Sequence, residues 1–477
     1  MEEKIKNVSS DFFRLAKPRR KGILSLIFSR LFIILALLVI QIVIYIGIVG
    51  WLEEMLPHYV AAQGCFTLAM LVYLFNNRMD STAKLTWMFI ISLLPIFGAL
   101  MLLFTQTNAG HRNITKRTAE VIEQTKEAVA QPEGVLEELA HDGQATDDLV
   151  RYLNRSGCFP VFKGSEVTYY PLGEYKFEAM LEELRKAEKY IFMEYFIIEE
   201  GYMWGKILEI LIEKAKNGVD VRVMYDGMCE ISTLPMGYSG LLEKNGIRSR
   251  AFSKIMPVLS SHYNYRDHRK ILVIDGKTAF TGGVNLADEY INRKERFGHW
   301  KDTAIRVRGD AAKSFALMFL QMWNLIQQDE DISPYLEDGG FVPENPNGYV
   351  IPYCDSPLDE DKVGETIYID ILNRAESYVH IMTPYLILDG ELENALKYAA
   401  QRGVDVKLIL PGIPDKKVAF ALAKSHYSVL LDAGVKIYEY TPGFVHAKVF
   451  VSDDRKAVVG TINLDYRSLY HHFECAA

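Results

Sequence analysis

The stretches RDHRKILVIDGKTAFTGGVN (Arg266–Asn285) and FVHAKVFVSDDRKAVVGTIN (Phe444–Asn463) decide the reading of this chain. The first holds His268, Lys270, Asp275, Gly282 and Asn285. The second holds His446, Lys448, Asp453, Gly460 and Asn463, each 178 positions after its counterpart. One H-x-K arises easily by chance; two copies with one internal spacing do not. His268 and Lys270 open an apolar β run, Ile271–Ile274, and residues i and i+2 of a strand share a face. Asp275-Gly276 reads as a tight turn into Thr278–Thr281. Gly282 and Gly283 then let the chain turn close to a ligand and bring Asn285 back to the His–Lys face. The second copy runs alike through Val449–Val451, the turn at Asp453-Asp454, Ala457–Val459 and Gly460-Thr461.

The duplication extends outward. Gly218-Val219-Asp220-Val221 recurs as Gly403-Val404-Asp405-Val406. Each copy follows an amphipathic helix. One has the apolar stripe Trp204, Ile207, Leu208, Leu211, Ala215; the other has Leu392, Ala395, Leu396, Ala399. The glycine stands where a left-handed cap ends a helix. Strand candidates Tyr190–Ile198 and Tyr378–Met382 precede the helices, and Val219–Tyr225 and Val404–Leu410 follow. Strand–helix–strand twice over is an α/β signature with an internal repeat.

A histidine, a lysine and an asparagine from each copy make a pocket rich in donors and positive charge, which suits a phosphodiester. One neutral imidazole can attack phosphorus. The other, protonated, can supply the hydrogen to the leaving alcohol and serve as base for the incoming one. The lysines provide the charge a divalent metal would bring, so neither metal nor cofactor is expected. Asp275 and Asp453 sit at turns, where aspartate is common for local reasons, so a structural reading stands beside the catalytic one. His262, His426, His471 and His472 lack a duplicated partner and read as non-catalytic. The five cysteines, at 65, 158, 229, 354 and 475, show no zinc spacing and read as reduced thiols.

Apolar content concentrates near the N-terminus. Leu31–Gly50, Tyr59–Phe75 and Leu85–Thr105 are three candidate membrane spans within a transmembrane region 31–105, behind a basic tail 1–30. The long apolar stretch and missing cleavage site argue against a signal peptide for the first segment. Lys and Arg in the tail place the N-terminus inside, yet Arg112, Lys116 and Arg117 place the end of the third segment inside too, so the side bearing the site stays open. Residues 106–150 are polar and helix-prone and read as a linker. The net charge of −8 argues against a nucleic-acid partner.

H-x-K-x4-D followed by G-x-x-N, twice, resembles the phospholipase D superfamily, and within it the bacterial cardiolipin synthases. The likeness runs from Leu85 almost to the C-terminus, on the two stretches above, on LTWMFIISLLPIFG and MTPYLILD, and on Asp288-Glu289-Tyr290 after Gly282-Gly283-Val284-Asn285. It implies an α/β fold of two halves, 151–335 and 336–477, each a mixed sheet flanked by helices, with the site between them. It implies a multi-pass protein of the bacterial cytoplasmic membrane acting on phosphatidylglycerol and other membrane lipids. One phosphatidylglycerol would pass its phosphatidyl group through a phosphohistidine to another, giving cardiolipin and glycerol. His268, Lys270, Asp275, His446, Lys448 and Asp453 are then the expected catalytic residues, and Asn285, Asn463, Gly283 and Thr461 the substrate contacts. By the same resemblance His268 attacks and His446 is acid and base, with the reverse assignment open. Glu474 would orient an imidazole, and Asp302, in Trp300-Lys301-Asp302, would serve the first half. Alternatives are a hydrolytic phospholipase D or another phosphatidyltransferase, a nuclease on the same fold, and a non-catalytic membrane scaffold. Two departures from the family pattern stand out: His472, where relatives often carry asparagine, and a C-terminus three residues after Glu474, where relatives continue. Restoring such a tail is expected to raise thermal stability.

Overall fold

Two strand–helix–strand units form where the repeat places them, and each seeds a mixed sheet. The computed structural model describes residues 38–477 other than 44, 48–55, 78, 80, 107–108, 142–146, 158, 254–264, 328–330, 338–340, 347 and 360. The chain divides into two units, the larger holding both copies of the repeat and the smaller the apolar N-terminal region.

In the larger unit the first sheet runs Glu166–Tyr170, Ala304–Arg308, Thr278–Gly282, Lys270–Ile274, Tyr190–Tyr195, Asp220–Asp226, Arg248–Phe252. The last three strands are parallel and the other neighbours antiparallel. The second sheet runs Lys436–Tyr440, Asp405–Pro411, Tyr378–Met382, Val449–Ser452, Lys456–Val459, with the same strand directions. Tyr190–Tyr195 is buried on both faces, as a central strand with a parallel partner should be. The crossover helices Tyr202–Lys216 and Gly390–Gln401 bury the expected stripes. Gly218 and Gly403 follow them with φ of +89° and +96°, values that cost any residue with a Cβ. The hairpin turns hold Asp275 and Gly276 at φ +53° and +67°, and Asp453 and Asp454 at +55° and +56°. Two successive left-handed residues match the twist of the flanking strands.

The halves clasp each other. Gly443–Val445, which enters His446, pairs in parallel with His299–Lys301 of the first half. Arg266–Asp267, which enters His268, pairs in parallel with the start of His472–Ala476 of the second. One apolar cluster mixes both halves, with Ile271, Val273 and Ala279 against Val445, Val459, Phe473 and Cys475. The stretch read as a linker is largely helical, Ala109–Thr125, Val135–His141 and Asp147–Gly157. From Asn113 on it belongs to the larger unit, with Arg117 donating to Asn324 O at 2.8 Å.

In the smaller unit, Leu56–Asn76 is a 21-residue helix. Among the described residues it is the one helix long and apolar enough to cross a membrane, against three spans expected. The Leu85–Thr105 segment is split into Ser81–Leu93 and Pro95–Gln106, 13 and 12 residues, each short of the ~20 needed for a span. The break falls at Leu94 because Pro95 has no N–H to give and restricts the residue before it. The Phe97 N–H just past the break is taken by Gln41 Oε1 at 2.7 Å. Of the Leu31–Gly50 segment, 38–43 and 45–47 are helical, and the rest lies outside the described residues.

Candidate active site

Each histidine is held by the half it does not belong to. The His268 N–H donates to Phe473 O at 2.9 Å and the His446 N–H to Lys301 O at 2.8 Å. The side chains cross over in the same way. His268 Nδ1 lies 2.9 Å from both carboxylate oxygens of Glu474, and His446 Nδ1 lies 2.8 Å from Asp302 Oδ2. Asp302 and Glu474 are structural counterparts: Gly283 N–H donates to Thr303 O at 3.0 Å and Thr461 N–H to Cys475 O at 2.9 Å. The expectation that Asp302 serves the first half is therefore corrected. It holds the second-half histidine because the strand it follows pairs with the strand that enters His446.

Both carboxylates are fully buried. Burial alone would raise them; the charge and hydrogen bond of the facing imidazole outweigh it and hold both below the usual carboxylate range. The imidazoles move down as well. Burial sets His268 well below its ordinary value and His446 at about 4, and the neighbouring lysines push the same way. An ionised carboxylate can only accept, so Nδ1 of each ring carries the hydrogen and Nε2 keeps a lone pair. Lys448 Nζ also lies 3.0 Å from His446 Nδ1. With that nitrogen donating to Asp302, the approach of Lys448 is electrostatic and makes the ring less basic.

Lys270 and Lys448 bend back onto the backbone of their own histidines, each Nζ donating to a carbonyl at 2.5 Å. Burial lowers Lys270 to about 8 and Lys448 to about 7. A third buried lysine, Lys176, on the helix Gly173–Lys186, is lowered to about 7 for the same reason and donates to Val284 O at 3.3 Å. It lies outside both repeated stretches, so the repeat does not mark it.

Asp275 and Asp453 are not brought to this site, and their catalytic reading is corrected. Asp275 accepts the N–H groups of Glu188, Lys189 and Tyr190 at 2.9, 2.7 and 2.8 Å. Asp453 does the same for Glu376, Ser377 and Tyr378 at 2.9, 2.9 and 2.8 Å. Each lies seven positions after its histidine, at the far end of the strand and roughly 20 Å away at ~3.3 Å per extended residue, and ties the hairpin to the start of the central strand. Gly283 and Thr461, expected to touch substrate, instead brace the carboxylates. A Cβ at 283 would meet Asp302 Oδ1 at 2.0 Å and His446 O at 2.7 Å. The Thr461 hydroxyl donates to Glu474 Oε2 and accepts from Cys475 N–H at 3.0 Å. Asn285 accepts from Ile197 N–H at 3.1 Å and donates to the Tyr290 hydroxyl at 2.9 Å, and the Tyr290 ring stands 5.3 Å from that of His446. Asn463 Oδ1 is buried without a partner and remains open to a ligand.

His472, read as non-catalytic, lies in the site. Its ring centre is 5.1 Å from that of His268, its Nδ1 is 3.5 Å from Glu474 Oε1, and neither ring nitrogen has a hydrogen-bond partner. The signal was present in sequence: His472 and Glu474 are i and i+2 on one strand and share a face. His426 instead meets Glu393 at 2.8 Å, and His262 lies outside the described residues. Among the described residues, donor atoms of His268, His472 and Glu474 lie within 4.8 Å of one another, as do those of Glu365, Asp389 and Glu391. In the first group the Lys270 charge acts on both His268 and Glu474 and opposes a divalent cation. In the second, Asp389 caps a helix by accepting Leu392 N–H at 2.9 Å.

Two α/β halves, each with a His–Lys pair, that together form one site place the chain in the phospholipase D-like class. The solved phosphatidylserine synthase of Haemophilus influenzae Rd KW20 shares the fold: TM-score 0.53, 15% identity, 70% of this chain and 85% of that one covered. The family model for the cardiolipin synthase, PLD-like domain matches residues 180–323 and 368–477. Cardiolipin synthase 2 of Bacillus anthracis is 34% identical over 414 residues, 86% of this chain and 80% of that one. An uncharacterized protein of Streptococcus mutans serotype c is 58% identical over 409 residues, 86% of this chain and 88% of its own. The chain belongs to the cardiolipin synthase family of phospholipase D-like proteins and is a phosphatidyltransferase.

Proposed function

We propose that this protein is a cardiolipin synthase using two phosphatidylglycerol molecules. The observation that carries the mechanism is the crossed pairing of His268 with Glu474 and His446 with Asp302. Each carboxylate takes the Nδ1 hydrogen and leaves Nε2 as the reacting atom. His268 Nε2 attacks phosphorus of the first phosphatidylglycerol. A P–N bond forms, the P–O bond to glycerol breaks, and His446 Nε2–H protonates the departing oxygen. A glycerol hydroxyl of the second phosphatidylglycerol then attacks the phosphohistidine, its hydrogen returning to His446, and the P–N bond breaks to give cardiolipin. Burial sets His446 at about 4; a phosphate anion beside it raises it towards the protonated form this step needs. Lys270 and Lys448 supply the positive charge for the non-bridging oxygens.

Residues 151–335 and 336–477 are the two catalytic halves of this reading. The region 31–105, with Leu56–Asn76 as one span, anchors them as a multi-pass protein in the bacterial cytoplasmic membrane. The full chain in phosphatidylglycerol vesicles should release cardiolipin and glycerol in equal amounts, and any covalent phosphatidyl adduct trapped in His446→Ala should lie on the His268 peptide. Phosphatidic acid in place of cardiolipin would make the protein a hydrolase. A phosphatidyl adduct at position 446 in His268→Ala would reverse the roles.

A further inference from the structure

The helix Lys417–Ser425 of the second half turns an apolar face to solvent. At 100° per residue Val418 and Leu422 project together, turned away from the buried Ala423, and they are 76% and 49% exposed. Ile413, just before the helix, is 41% exposed. Lysines flank this stripe: Lys416, Lys417 and Lys424 are all exposed. Lys416 leans 3.8 Å from Asp415 and donates to the Tyr385 hydroxyl at 3.1 Å, and Lys424 is 3.6 Å from Glu439; the two ion pairs are weak contacts for exposed charges. Among the described residues Lys417 has no ion-pair partner.

The patch adjoins the strands that lead into the site. Gly412 and Ile413 both donate N–H to Gly443 O at 3.1 Å, at the start of the strand that enters His446. The helix packs on Leu386–Ile387, which pairs with Leu464–Asp465, the residues directly after Asn463. We propose that Ile413, Val418 and Leu422 insert into the headgroup layer of an anionic bilayer, with Lys416, Lys417 and Lys424 at the phosphate level, and that this docking turns the catalytic mouth to its lipid. The proposal rests on the lipid-substrate reading above. Charge complementarity selects the occupant. The chain as a whole carries −8, yet this apolar stripe is ringed by lysines, the pattern of an interfacial helix on anionic lipid.

The test uses the full chain reconstituted in vesicles, with Val418→Cys carrying an environment-sensitive fluorophore. Lys216→Cys, an exposed site on the first-half helix, is the control, and the unsubstituted chain labelled in parallel supplies the background. In phosphatidylglycerol vesicles the label at 418 should be quenched by a spin-labelled lipid and shielded from iodide, while the label at 216 is not. Lys417→Glu with Lys424→Glu should weaken the docked state by roughly fivefold or more per lysine. The proposal is overturned if iodide reaches 418 as readily as 216. It is equally overturned if 418 is shielded without lipid quenching, which would mean a protein covers the patch. No turnover is read in this experiment, so failure of the cardiolipin synthase assignment shows separately, in the product assay.

Discussion

Glu474→Gln removes one negative charge and leaves nearly the same atoms in place. The fully buried carboxylate faces His268 Nδ1 at 2.9 Å through both oxygens and takes the Thr461 hydroxyl. A glutamine can keep both contacts. Its oxygen accepts from His268, its Nε2 donates to Thr461 Oγ1, and the Thr461 hydrogen turns to Cys475 O, 3.1 Å away. Folding then loses the difference between a charge-assisted and a neutral hydrogen bond, ~1 kcal/mol, or ~1–2 °C in Tm for a unit of this size. The reaction loses more. When Nε2 bonds phosphorus the imidazole becomes a cation, and a carboxylate charge about 4 Å away at an effective dielectric of about 20 stabilises it by ~4 kcal/mol. That is roughly 10³-fold in rate. The assay is phosphatidyl transfer in vesicles by lipid mass spectrometry, per folded protein, beside thermal unfolding. A loss in kcat/KM below tenfold at unchanged Tm would refute the charge argument. Asp302→Asn repeats the test at His446, and the double variant should lose little more than the worse single one, because both residues serve one chemical sequence.

The other predictions test the surroundings. Burial lowers Lys270 to about 8 and Lys448 to about 7, so their positive forms are lost as pH rises past that range rather than near an ordinary lysine's value. In a pH profile kcat/KM should decline from about pH 7 to 9.5, and a flat profile would show that these charges do not carry the rate. Stability should move the opposite way, because the unfolded chain binds more protons across that window and unfolding free energy therefore rises with pH. Asp275→Ala or Asp453→Ala strips three backbone N–H groups of their acceptor; a stability loss of ~2–3 kcal/mol in denaturant titration is expected. Turnover per folded molecule should stay within about threefold, and a collapse of turnover at full stability would restore their catalytic reading. Gly283→Ala forces a methyl against Asp302 Oδ1 and should cost on the order of 100-fold in turnover by displacing the carboxylate; an alanine enzyme as fast as the parent would show that the strand yields instead.

Much of this protein is local in origin. The crossover stripes, the glycine caps at 218 and 403, and the paired turns depend on residues a few positions apart, where periodicity and left-handed backbone preference act directly. The two His–Lys pairs were legible because the chain states them twice. The turn role of Asp275 and Asp453 was legible too, as the local alternative to catalysis. The proline that splits the third apolar segment stands in the sequence, yet composition alone joined the two sides. What sequence could not settle is which carboxylate meets which histidine. His268 and Glu474 are 206 residues apart, and His446 and Asp302 are 144 apart. Their pairing follows from two parallel strand contacts between the halves, not from any spacing within one. The same clasp carries His472 to His268, while Lys176 is brought to the site within the first half by the helix Gly173–Lys186.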